Sequence, residues 1–216
     1  MTTLFAEQAI CQKNLTFEQE KIHLYWLYQA IKSQLTCENI HKKSTTIRNA
    51  WGFDQTKSYF FSAFYQATAH FLTHEIIVEE RSSILKSGIH DEIKVLAISA
   101  LYAAGADKLT PEFIASERTM IRGSGMSDYY KSCTVCELYS AGLTKLTPGL
   151  IAAECNAILS SGMHENDKKF LVCDLYISGA ARLKPEDIAN ERAAIQISNI
   201  SNPLKQELLQ VLSELR

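Results

Sequence analysis

The sequence predicts an all-α fold of about six αα-hairpins in a row, and three observations predict it. First, the chain repeats every 37 residues without insertion. Leu101-Tyr102-Ala103-Ala104-Gly105, Leu138-Tyr139-Ser140-Ala141-Gly142 and Leu175-Tyr176-Ile177-Ser178-Gly179 are in register, as are Leu109-Thr110-Pro111, Leu146-Thr147-Pro148 and Leu183-Lys184-Pro185. Self-similarity at such a period marks a repeat architecture. Second, apolar residues inside each repeat fall at helical spacing, as in Val95, Ile98, Leu101 and Tyr102, and no stretch alternates with the period of a strand. Third, Pro and Gly punctuate the regular repeats at two places, which divides each into two helices. Stacked hairpins of this kind form an α-solenoid, in which each unit buries its apolar face against its neighbours.

The register reaches back to the start of the chain. Ile10, Ile47, Ile84, Ile121, Ile158 and Ile195 are spaced 37 apart, and Leu27-Tyr28 and Phe64-Tyr65 precede Leu101-Tyr102. The first helix of a unit opens at Thr110, Thr147 or Lys184, with Pro111, Pro148 or Pro185 next, where the missing N–H has no intrahelical partner to lose. It runs to Gly88, Gly125, Gly162 or Asn199, residues suited to a left-handed C-terminal cap. The second helix opens near Asp91, Ser127, Glu165 and Asn202, taken as N-caps, and ends at Gly105, Gly142 and Gly179. The last helix, with Leu204, Leu208, Leu212 and Leu215 among polar residues, reads as an end cap.

The expected organisation is one domain, 1–216. Residues 1–74 form degenerate, aromatic-rich repeats, 75–199 regular ones and 200–216 a capping helix. All four prolines lie at or beyond residue 111, whereas 13 of the 20 Phe, Tyr and Trp lie in residues 1–74, so the N-terminal repeats serve a different use. A content of 46% hydrophobic and 21% charged residues is that of a foldable globular chain. The net charge of −2 gives no bulk attraction to nucleic acid or anionic membrane. Six cysteines (Cys11, Cys37, Cys133, Cys136, Cys155, Cys173) without a framework, and no basic leader, read as reduced thiols in a cytoplasmic compartment, with a leaderless secretion route leaving no trace in the sequence. No stretch approaches the roughly 18 apolar residues of a membrane span.

On the residues of these hairpins, Leu-Tyr…Gly and Leu-Thr-Pro, the chain resembles the tetratricopeptide-like αα-hairpin superfamily over residues 5–216. It resembles pentatricopeptide RNA-binding repeats more weakly, through the Gly-ended helices. The period is 37 and not 34, the Trp-Leu-Gly-Tyr…Ala…Phe…Pro pattern is absent, and Leu-Thr-Pro belongs to neither family. The resemblance implies ligand binding along a helical-repeat surface, usually to protein segments.

Two charge ladders share the period. Lys57, Lys94, Lys131, Lys168 and Lys205 lie one turn into the second helices, and Glu80, Glu117, Glu154 and Glu191 lie midway along the first. The lysines make either an anion-binding stripe or one half of Lys–Glu pairs across each hairpin, which is the reading taken. Aromatic runs supply candidate contacts: Trp26, Trp51, Phe53, Tyr59, Tyr129 and Tyr130, since the run Tyr59, Phe60, Phe61, Phe64, Tyr65 is too broad for one buried stripe. Cys133-x-x-Cys136, in register with Leu96 and Phe170 at its first cysteine, reads as hairpin core and not as a metal or redox pair. His70 and His74 fall on either side of a loop, which spoils them as a helical ligand pair. No catalytic, cofactor or metal motif is present. The function expected is a non-enzymatic scaffold or adaptor that binds a protein segment. The alternatives are RNA or other polyanion binding through the lysines, and a secreted bacterial effector acting by binding host protein.

Overall fold

In the computed structural model, which describes residues 36–49 and 54–215, the chain is all-α, and no strand occurs among the described residues. Ten α-helices follow one another among the described residues: α1 (Cys37–Asn49), α2 (Asp54–Thr68), α3 (His74–Lys86), α4 (Asp91–Ala104), α5 (Pro111–Arg122), α6 (Asp128–Ala141), α7 (Pro148–Ser160), α8 (Glu165–Gly179), α9 (Pro185–Ile197) and α10 (Asn202–Glu214). The odd-numbered helices start at 37, 74, 111, 148 and 185 and the even-numbered ones at 54, 91, 128, 165 and 202, each a step of 37. A 3₁₀ turn recurs at the same interval, as Ala69–Phe71, Ala106–Lys108, Leu143–Lys145 and Ala180–Arg182. The first of the six expected units lies outside the described residues, as do Trp26, Trp51 and Phe53.

The chain packs as two compact units, 1–108 and 109–216, and the divide falls just before Thr110-Pro111, at the edge of a repeat. In both units each odd helix packs on the even helix that follows it. In the first unit α1 packs on α3 and α2 on α4; in the second, α6, α8 and α10 stack in order and α7 packs on α9. Within each unit, first helices therefore form one layer and second helices another.

Local chemistry explains the breaks. Thr73, Thr110 and Thr147 have extended backbone, and each hydroxyl accepts from the N–H three residues on, at 3.4, 3.2 and 3.4 Å. Each such cap contributes about 1 kcal/mol. At Lys184 the roles reverse: the Asp187 carboxylate accepts from the Lys184 backbone N–H at 2.9 Å. The N-caps of the second helices are His90, Ser127, His164 and Ser201. Asp91, Glu165 and Asn202, expected as caps, instead occupy the first helical position. Acidic side chains there still favour the positive end of the helix.

The left-handed caps expected at Gly88, Gly125 and Gly162 do not form, and no described glycine has a positive φ. The chain leaves α3, α7 and α9 through extended serines instead. Ser87, Ser161 and Ser198 donate their hydroxyls to the carbonyls of Ile84, Ile158 and Ile195 at 2.6, 2.7 and 2.6 Å, so a side chain does the work of the cap. Gly105, Gly142 and Gly179 are required for a different reason. A Cβ on them would lie 2.7, 2.5 and 2.6 Å from the Cδ1 of Ile77, Ile114 and Ile151 of the same hairpin.

The core follows the register. Ile84, Ile121, Ile158 and Ile195 are fully buried, as are Ile40, Ile77, Ile114 and Ile151 one turn from the start of their helices. Leu72, Leu109 and Leu146 of the Leu-Thr connectors are buried, and Ile89, Met126 and Ile200 close the opposite ends of the hairpins.

Candidate interaction surface

The glutamate ladder is buried. Glu80, Glu117, Glu154 and Glu191 lie inside the protein, one turn from the isoleucine core. Burying a carboxylate is costly unless donors reach it, and the repeat supplies them. In the first unit Tyr65 on α2 donates to Glu80 Oε2 on α3 at 2.8 Å, and His41 Nδ1 donates to Oε1 at 3.0 Å. Ser44 Oγ stands 3.4 Å from the Tyr65 hydroxyl. In the second unit Tyr176 on α8 donates to Glu191 Oε2 on α9 at 2.6 Å. The unit of this ladder is thus a tyrosine of one hairpin on a glutamate of the next, 15 residues on.

Glu154 departs from the pattern. Tyr139 donates to the Leu150 carbonyl at 2.9 Å, and two arginines of α5 take the carboxylate. Arg118 Nε donates to Glu154 Oε2 at 2.9 Å and its Nη2 to the Ala153 carbonyl at 2.7 Å. Arg122 reaches both oxygens, Oε2 through Nε at 3.3 Å and Oε1 through Nη2, which also donates to Ser132 Oγ at 3.1 Å. Burial pushes the Glu154 carboxyl up despite the two guanidiniums, and burial likewise raises Glu191.

The four lysines whose side chains are described, Lys94, Lys131, Lys168 and Lys205, have other partners than these glutamates, which corrects the expected Lys–Glu pairing there. Lys168 and Lys205 donate to the carbonyls of Leu159 and Gln196, nine residues earlier, at 3.0 and 2.9 Å. Each ammonium therefore closes the C-terminal turn of the preceding helix, where a cation is favoured. Lys94 and Lys131 pair within their own helices with Asp91 at 3.0 Å and Asp128 at 3.7 Å. The side chain of Lys57 is outside the described residues. The geometry explains the change of partner: the first-helix glutamates point into the core between hairpins, while the lysines sit at the hairpin ends.

The aromatic run of α2 also turns inward. Phe60, Phe61, Phe64 and Tyr65 are all buried and only Tyr59 is half-exposed, because α2 is covered by α1 on one side and α4 on another. Phe61 and Tyr65 stack with ring centres 6.0 Å apart. Of the six aromatic candidates, Tyr129 is 39% exposed and Tyr130 half-buried, the two rings meeting edge to face at 5.3 Å.

Apolar surface lies elsewhere, on the second-helix layer. Phe170 is 70% and Ile177 62% exposed, two turns apart on one face of α8 with half-buried Cys173 between them. In the first unit Leu96, in register with Phe170, is 44% exposed. Sequence reasoning placed Leu96, Cys133 and Phe170 in the core. The register that relates them was the available signal, but only the packing shows that this position faces outward. Cys136 is buried, as expected.

The four described cysteines are free thiols, and burial raises the pKa of each, which keeps them protonated and poorly nucleophilic. His70 lies in the 3₁₀ turn and His74 on α3, where its Nε2 meets the Lys108 carbonyl. Among the described residues no group of three or more His, Cys, Asp or Glu is placed to hold a metal ion, and no helix is long and apolar enough to cross a membrane. No family model matches the chain, and no curated protein or solved structure is significantly similar to it.

Proposed function

We propose that this chain is a non-enzymatic interaction module, an α-solenoid of the tetratricopeptide-like kind whose second-helix layer captures a protein segment. One observation carries the reading: Phe170 and Ile177 stand exposed on one face of α8, in a chain whose repeat frame buries the equivalent residues' neighbours Leu171, Val172, Leu175 and Tyr176. Large apolar side chains grouped on a surface are what partner binding uses. The polyanion reading is weaker, since four of its five lysines are engaged with helix-end carbonyls or aspartates of their own hairpins.

The test is a pull-down with purified full-length protein, with and without nuclease and at low and high salt, set beside the double variant Phe170→Asp/Ile177→Asp. Protein capture that resists salt and nuclease and is lost in a folded double variant supports the module. Nucleic acid captured through contacts that weaken steeply with salt, unchanged in the double variant, rejects it in favour of the polyanion reading.

A further inference from the structure

We propose that Arg118 and Arg122 of α5 form an oxyanion site, which takes a carboxylate or phosphate group carried by the protein partner. The inference rests on the interaction-module reading and names part of the chemistry of its partner.

The repeat frame provides the comparison. A buried glutamate at this register is satisfied by a neutral tyrosine hydroxyl at Glu191, which is all that the fold requires there. At Glu154 the available tyrosine, Tyr139, is bonded to a carbonyl instead, and two guanidiniums converge on one carboxylate. The cluster therefore carries one positive charge more than its own carboxylate balances. The register has Leu85, Leu159 and Gln196 in the place of Arg122, with an arginine again only at Arg48 of α1, so a helix of this array does not need a cation there.

The surplus is accessible. Glu154 is fully buried, but the side chains of Arg118 and Arg122 are 19% and 17% exposed. Their Nε and Nη2 donors are used on Glu154, Ala153 and Ser132, and among the described residues their Nη1 groups meet no acceptor. The two arginines are one turn apart on α5, so both Nη1 groups are available on the same face of the helix. Guanidiniums already fixed in rotamer by a buried carboxylate lose little freedom on binding, and a planar fork suits carboxylate and phosphate oxygens alike. An anion there would be held by charge-assisted bonds in a site only partly open to water.

The experiment follows the arginine side-chain N–H signals of full-length protein by NMR at constant ionic strength, with three probes: inorganic phosphate, a glutamate-rich peptide and the same peptide carrying phosphoserine. Saturable movement of the Arg118 and Arg122 signals is expected. The tighter peptide identifies the source of the oxyanion. Arg122→Leu, the residue type that neighbouring hairpins carry, is expected to fold and to bind at least about tenfold more weakly. Glu154→Gln removes the competing carboxylate and is expected to bind more tightly, a gain that loss of folding cannot imitate. Signals that no probe moves, or that move equally in Arg122→Leu, overturn the site. If that happens while Phe170 and Ile177 still retain a protein partner, the site falls and the module stands; if no partner is retained either, both fall.

Discussion

Single residues decide how this array stays intact, and the buried glutamates are the sharpest case. Glu154 holds two arginines, one turn apart on α5, that would otherwise stand side by side, mostly buried, without this counter-charge. Replacing it by Ala should cost about 3 kcal/mol, near the low end for breaking a buried pair because the guanidiniums keep some solvent; urea unfolding measures it. Tyr176→Phe leaves a buried carboxylate short of a donor and should cost about 1–3 kcal/mol by the same method. The pH dependence carries two signs. Burial raises Glu154 and Glu191 in the folded state, so the fold binds these protons more tightly than the unfolded chain does, and stability falls as pH rises from the unfolded carboxyl value to the folded one. Glu165 is lowered, chiefly because the Ser201 hydroxyl donates to it at 2.5 Å and the Ser201 backbone N–H at 2.8 Å. Its contribution is present above the unfolded value and is lost as pH falls through the folded one. Glu191→Gln should therefore flatten the decline of stability above about pH 4.3, while Glu165→Gln should flatten the acid limb. Melting temperature against pH separates them, and a Glu191→Gln profile that matches wild type would refute the assignment.

At the level of the element, each second helix ends where the first helix of its own hairpin leaves no room. Gly142 stands against Ile114, whose Cδ1 is 2.5 Å from where a Cβ would be, and Ile114 is fully buried and has nowhere to retreat. Gly142→Ala should destabilise by about 1–3 kcal/mol through overpacking. Ile114→Val, which removes the offending methyl, should cost about 0.5–1.5 kcal/mol alone. Combined, the two should cost less than their sum, a coupling that a double-mutant cycle detects; simple additivity would show that the glycine is there for another reason. Thr68 occupies the same register at the end of α2 and is accommodated with its hydroxyl donated to the Phe64 carbonyl at 2.9 Å, so the tight approach belongs to the regular hairpins.

For the molecule as a whole, the chain divides into two compact units at the border of a repeat. Arrays whose repeats touch only their neighbours have stabilities that sum over local terms. The fragment 109–216, with three complete hairpins and its own core, should therefore fold alone, with helical circular dichroism and a cooperative urea transition. A fragment that is unfolded under native conditions would show that the second unit depends on the first. Ser213 occupies the register of Tyr65, Tyr102, Tyr139 and Tyr176, is exposed, and donates its hydroxyl within its own helix, to the Gln210 carbonyl at 2.7 Å.

The period, the helix starts at Thr-Pro, the buried isoleucine ladders and the separation of His70 from His74 were legible in the residues alone. Each is set by local chemistry or by a spacing that recurs whatever the neighbours do. The direction of a side chain was not. The sequence offers Lys131 and Glu117 as a pair by charge, but one sits at a hairpin end and the other in the core. It offers Phe170 and Leu96 as core by hydrophobicity, but they lie on the uncovered face of their helices. It offers Ser-Gly as a left-handed stop, but a serine hydroxyl satisfies the helix end first. Glu154 likewise meets two arginines in place of the lysine that the ladders suggest. Which donor reaches a buried acceptor, and which face of a helix is covered, depend on the packing between hairpins, and that packing arises only when the layers assemble.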